Sequence, residues 1–313
     1  MEDDRSEENL ASGLGAGPDV VLLAGPTASG KSALAVQLAR ALGGEVLNAD
    51  SMQVYSVLHI LSARPAKAEM GDIPHHLFGH VPGEDQYDTA RWLSEVSSLI
   101  ALRQGPLIIV GGTGLYFSSL EKGLSELPTI SQIVRDSVRH RFENSDSSTL
   151  HAELAAVDAT AAQRIEPGDG QRVQRALEVF EATGRSLFDQ PQPAPETLPL
   201  HGLSVRRIIL EPARDVLHQR IARRFDAMVA EGALDEVRAL LKLQLPADRT
   251  VLKAIGVPEF SAFLDGRLTL DQAVADAKTA TRRYAKRQST WFRNQMDESW
   301  ERVTSSDELA LAQ

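Results

Sequence analysis

The most regular signal along the chain is a set of short, uninterrupted apolar runs that close on glycine or a polar residue. Val20–Leu23 is the first, Val46–Leu47 within the short strand Glu45–Ala49 a shorter one, Pro106–Val110 another, and Ile208–Leu210 within the strand-like Arg206–Leu210 repeats the pattern late. Such runs, lacking polar alternation, suit strands covered on both faces, as in parallel sheets. Helical periods lie between them. Ala33–Ala39 follows the first run, and Thr89–Leu102 places Trp92, Leu93, Val96, Leu99 and Ile100 on one face. From Lys122 to Arg185 helices joined by polar loops replace the alternation of strand and helix. Because Arg206–Leu210 comes only after a Pro-rich link, 190–199, the spacing predicts a small helical domain at 123–185, inserted between strands of one sheet. Helices are predicted over His218–Val229, Leu234–Leu243 and Leu270–Asn294, with a turn at Lys253–Glu259. Residues 1–17, polar and without periodicity, read as a disordered leader. The core is then 18–122 with 186–296, followed by an acidic tail, 297–313.

The first apolar run leads into chemistry. Gly25, Pro26, Thr27, Ala28, Ser29, Gly30, Lys31 and Ser32 fit G-x-x-x-x-G-K-[ST], between a strand and a helix. Backbone N–H groups of such a loop converge on an anion, and the helix N-terminus adds its positive end. Lys31 would reach terminal phosphates, and Ser32 would ligate Mg²⁺. The fold class is therefore α/β, a P-loop NTPase-like parallel sheet flanked by helices, with the helical insertion. Asp50 falls at the carboxyl end of the Glu45 strand, where ligands of open α/β sheets gather. It faces the loop on this reading; as an alternative it is the N-cap of the next segment. Gly111 and Gly112 end the Pro106 strand, where phosphate-loop hydrolases commonly carry a Mg²⁺-holding Asp. That absence weakens an ATPase reading, and Thr113 offers a hydroxyl at the same mouth. His75 and His76 are adjacent but lack partners at ligand spacing, so a structural or RNA-facing loop is expected there rather than a metal site.

Charge refines the picture through its distribution. The 313-residue chain carries a net −10, yet residues 1–10 hold five acids against Arg5, and 297–313 hold five against Arg302. Ala275–Met296 reverses this, with Lys278, Arg282, Arg283, Lys286, Arg287 and Arg293 against Asp276. A basic element on a near-neutral body suits an RNA footprint or a solvated helix face equally. Tyr284, Trp291 and Phe292 interleave with those cations, the last two read as core. Arg172 and Arg175, three apart, share a helix face with Gln171 beside them. There is no cysteine, which removes disulfides, thiolate zinc and Cys nucleophiles. No apolar run approaches about 18 residues and no signal peptide is evident, so no membrane contact and a cytoplasmic location are expected.

Five stretches, in order, resemble the tRNA dimethylallyltransferase (tRNA isopentenyltransferase) family, bacterial type. They are GPTASGKS (25–32), DSMQVY (50–55), GGTGLY (111–116), RIEPGDGQRVQRALEV (164–179) and RYAKRQSTWFR (283–293). The resemblance implies transfer of a dimethylallyl group from dimethylallyl diphosphate to N6 of the adenosine just 3′ of the tRNA anticodon, releasing diphosphate. It implies Mg²⁺ at Ser32, Asp50 and Thr113 as catalytic residues, and Arg224 on the phosphates beside the loop. It places tRNA, held by its anticodon stem-loop, on Asp50, Ser51, Met52, Gln53 and Thr113. On the insertion it implies Arg135, Gln171, Arg172, Val173, Gln174 and Arg175, and further on Lys253 and Gly256. One RNA per chain needs no second copy, so a monomer is expected.

The chain departs from the family twice. The usual I-G-T-A-K-P is Ile60-Leu61-Ser62-Ala63-Arg64-Pro65 here, and Gly-Tyr-Lys is Gly256-Val257-Pro258. Two other readings share the phosphate loop: a small-molecule kinase using a nucleoside triphosphate, and an adenylate isopentenyltransferase. The basic helix and the insertion disfavour the second, and donor preference discriminates the first.

Overall fold

The structure, a computed structural model, describes residues 17–125 and 130–311. The chain forms two compact units, one running to Glu121 and resuming at Pro199, the other Lys122–Leu198. The leader predicted at the N-terminus lies, apart from Gly17, outside the described residues.

In the larger unit, β1 (Val20–Ala24) leads through the phosphate loop into α1 (Lys31–Leu42) and β2 (Glu45–Asn48). A short α2 (Lys67–Met70) and β3 (His75–His76) precede α3 (Thr89–Leu102), β4 (Leu107–Gly111) and α4 (Gly114–Lys122). The insertion supplies α5 (Gln132–Glu143), α6 (Ser147–Val157), α7 (Ala159–Arg164) and α8 (Gly170–Thr183). The larger unit resumes with β5 (Val205–Leu210), α9 (Arg214–Ala230), α10 (Ala233–Lys242), α11 (Val257–Leu264) and α12 (Leu270–Gln295). It closes with β6 (Glu301–Val303) and α13 (Asp307–Leu311).

All pairings are parallel, in the order β3-β2-β4-β1-β5-β6. Side chains of β1 alternate between two cores, Val20, Leu22 and Ala24 into one, Val21 and Leu23 into the other. This period-two division explains why the strand is apolar at every position. β1 sits centrally, so the mouths of β4 and β5 flank the phosphate loop.

Two boundaries differ from expectation. The insertion does not stop at 185, and the Pro-rich stretch 186–198 belongs to the helical unit. Gln190 donates to the Ser186 carbonyl, Gln192 reaches Ser125, and Pro193 covers Gly123 so closely that a Cβ there would lie 2.2 Å away. Prolines here fix a returning strap rather than a free link. The acidic tail is likewise part of the sheet. Trp300 is buried edge-on against Phe117, and β6 pairs with β5, Glu301 meeting Arg206 at 3.0 Å. Charge hid a strand whose apolar anchors are only Trp300 and Val303. The histidine pair forms the edge strand β3, His76 meeting Glu45 at 2.7 Å and His75 the Ile73 carbonyl.

Candidate active site

The loop Gly25–Ser32 is shaped from several sides. A Cβ at Gly25 would stand 2.5 Å from the Leu210 carbonyl, so β5 admits only glycine at the loop's entrance. Ala28 and Gly30 take φ of 65° and 100°, which turn the chain toward α1. Pro26 has no N–H to offer an anion; its carbonyl accepts Ser29 N–H and, at 3.3 Å, the Lys31 ammonium. Ser29 has its side chain buried, so its contribution to an anion is through the backbone. From α9, Arg220 donates to the Ser29 carbonyl at 2.6 Å. Arg224, one turn on, faces Lys31 and Asp50. Arg220 was not singled out from sequence, although its i,i+4 relation to Arg224 placed both on one face.

Asp50 leaves the end of β2 in an Asx turn, its Oδ1 accepting Met52 N–H at 2.9 Å. Its backbone is fixed by Asn48, a fully buried residue missed in the sequence. Asn48 Oδ1 accepts Asp50 N–H, and its amide nitrogen donates to the carbonyls of Asp50 and Leu77. Thr113 Oγ1 takes Ser51 N–H at 3.0 Å, and Thr113 N–H donates to Ala49. Each glycine of GGTG answers a close approach. A Cβ would stand 2.0 Å from the Ala49 carbonyl at Gly111, 2.2 Å from the Gln288 amide at Gly112, and 2.1 Å from the Trp291 ring at Gly114.

Burial drives the Lys31 ammonium down to about 8, and the Arg224 charge adds to that, while Asp50 opposes it. Arg224 is likewise lowered by burial and supported by Asp50. The phenols of Tyr116 and Tyr284 are pushed up by burial and then by the Asp50 charge. Asp50 is thus the shared neighbour of two cations and two phenols. It lines both a cavity of about 270 Å³ and a small hollow beside the loop that also exposes Ser32 and Lys31. The cavity is polar toward Thr27, Asp50, Arg224 and Lys253, and apolar toward Leu61, Ile221, Phe225 and Met228.

Other expected contacts divide. Ser51, Met52 and Lys253 line this cavity. Gln53 spends its amide on the carbonyls of Ser62 and Ala63. Gly256 donates its N–H to Glu259, which leaves that N–H unavailable to RNA, and its carbonyl already accepts from Phe260. Leu61 lies against Gly256, so the two departures from the family pattern meet in space. In the helical unit Arg135, Gln171 and Arg172 are exposed, and Arg175 pairs with Glu178 at 3.4 Å. Gln174 also bonds Glu178. Val173 is fully buried among Val138, Leu150, Leu154 and Leu177, so its side chain is core and not RNA contact.

A parallel sheet with a phosphate-type loop at its centre and a carboxylate across the mouth places the chain in the class of P-loop-like α/β proteins. Residues 53–295 match the family described as IPP transferase, and 18–76 that of isopentenyl transferase. The chain belongs to the tRNA dimethylallyltransferase family, enzymes of prenyl transfer. The tRNA dimethylallyltransferase of Rhizobium leguminosarum bv. trifolii is 53% identical, covering 95% of this chain and 99% of that protein. That of Sinorhizobium medicae is 50% identical, covering 93% and 96%. The solved tRNA isopentenylpyrophosphate transferase of Bacillus halodurans is 34% identical with a TM-score of 0.66, covering 94% and 93%. A eukaryotic dimethylallyltransferase acting on tRNA is 28% identical with a TM-score of 0.75, covering 92% and 75%. Among the described residues no helix is long and apolar enough to cross a membrane.

Proposed function

We propose that the protein transfers a dimethylallyl group from dimethylallyl diphosphate to N6 of the adenosine just 3′ of the anticodon in tRNA. The observation that carries this is Asp50, which neighbours both Lys31 and Arg224 and lines the small hollow beside the one and the large cavity beside the other. Lys31, Arg224 and the loop N–H groups bind the diphosphate and stabilise the charge that collects on it as the allylic C–O bond breaks. The exocyclic amine forms the new N–C bond, and its proton passes to the Asp50 carboxylate. An adenine reaches this enclosed mouth only after leaving its stack. Thr113 holds the Ser51 backbone, and so the Asp50 turn, in place.

Mg²⁺ fits the donor set. Ser32 and Asp50 offer hard oxygens in one hollow, and Mg²⁺ characteristically takes few protein ligands, with waters and substrate phosphates completing its shell. Among the described residues no group of three acids or histidines forms an all-protein cage. When bound there it would neutralise diphosphate charge. We place the protein in the cytoplasm, acting as a monomer on one tRNA. The reading is tested by mass analysis of tRNA after incubation with the protein, Mg²⁺ and dimethylallyl diphosphate. A gain of one dimethylallyl unit on the anticodon-loop adenosine is expected; transfer to free AMP alone would overturn it.

A further inference from the structure

Gln288 is buried on α12, with 6% of its surface exposed. Its Oε1 accepts Thr27 N–H from the phosphate loop at 2.9 Å, and its Nε2 donates to the Gly112 carbonyl at 2.8 Å. One amide therefore joins the mouth of β1 to the mouth of β4. The fit is tight, since Gly112 cannot carry a Cβ without meeting Nε2. One turn before it on α12, Tyr284 lines the large cavity beside Asp50.

We propose that Gln288 is a positioning residue that sets the phosphate loop for diphosphate from the side of the acceptor cavity. It holds the Thr27 N–H back from the anion and fixes the loop's remaining N–H groups, which then meet diphosphate without reordering. Because Tyr284 and Gln288 lie on one face of a single helix, a base seated against Tyr284 bears on the same rod that braces the loop. Donor and acceptor sites are coupled through this amide. The inference rests on the phosphate-loop reading given above.

The test uses the full chain, inorganic pyrophosphate as probe, and two substitutions. Gln288→Met keeps the length and removes both hydrogen bonds. It is expected to weaken pyrophosphate binding about tenfold, raise the KM for dimethylallyl diphosphate, and leave the affinity for tRNA alone little changed. Gln288→Glu adds a readout that packing cannot imitate. As a carboxylate it accepts from Thr27 but opposes the Gly112 carbonyl; once protonated it donates there as the amide did. Burial raises such a carboxyl, so its activity relative to wild type at the same pH should recover as the pH falls from about 8 to about 6. Wild-type pyrophosphate affinity in Gln288→Met, or tighter binding through a released Thr27 N–H, overturns the proposal. So does a Gln288→Glu ratio that is flat with pH, even if Gln288→Met fails to fold. Wild-type protein that binds no pyrophosphate removes the phosphate-loop reading itself, and the proposal with it.

Discussion

Thr113 Oγ1 accepts the Ser51 N–H at 3.0 Å, so a side chain after β4 fixes the backbone that follows Asp50 after β2. Thr113→Val keeps the shape and deletes the acceptor. An N–H left unpaired away from water costs about 1–3 kcal/mol. If that cost falls on the reactive geometry, kcat drops by about tenfold or more, and Thr113→Ser restores it. Single-turnover rates of the two variants provide the check.

Asp50→Asn separates charge from shape. An asparagine oxygen still accepts Met52 N–H in the same Asx turn, so folding and tRNA affinity should hold. Removal of a general base typically costs about 10²–10⁴-fold, and kcat should fall by that order. A destabilised protein that prenylates near the wild-type rate would make Asp50 a turn residue only.

Lys31 gives a pH signature. With its ammonium lowered from the ordinary 10.5 to about 8, the free protein loses this charge above that point, and pyrophosphate affinity should decline as pH rises through about 8. For stability the sign is opposite. Between about 8 and 10.5 the unfolded chain holds a proton that the folded one has released, so the ligand-free protein gains stability with pH across that window. Lys31→Met should therefore melt higher than wild type at neutral pH while losing pyrophosphate binding. Thermal melts and calorimetric titration over that range decide it.

Arg172→Ala with Arg175→Ala should weaken tRNA binding and flatten its salt dependence by about two phosphate contacts, with pyrophosphate binding intact. Val173→Ala acts otherwise, since its methyl groups are core. It should lower the melting temperature and leave the salt slope unchanged. Filter binding over a salt series distinguishes charge from packing.

What could be read in the sequence was local. The apolar run before Gly25 and the loop itself are contiguous, so strand, turn and helix follow from neighbouring residues. Asp50 could be placed because strand ends announce themselves. Val173 keeps helical spacing with Leu177, which marks it as core, whereas the resemblance carried it to the RNA face together with its polar neighbours. β6 was hidden because edge strands are short and Glu301 and Arg302 diluted its two apolar anchors. Asn48 and Gln288 were illegible for another reason. Their roles depend on which carbonyls stand opposite, and no pattern within a window reports that.

The Thr27–Gln288 bond joins residues 261 positions apart, and this has a consequence for synthesis. At about 5–20 residues per second, the loop leaves the ribosome some tens of seconds before the glutamine that braces it is translated. A nascent chain can form β1 and α1 early, yet the donor site stays unbraced until α12 arrives. No shortened product ending before α12 can tie up the donor in a finished site. Completion of the catalytic mouth therefore waits until α12 has been made and has emerged.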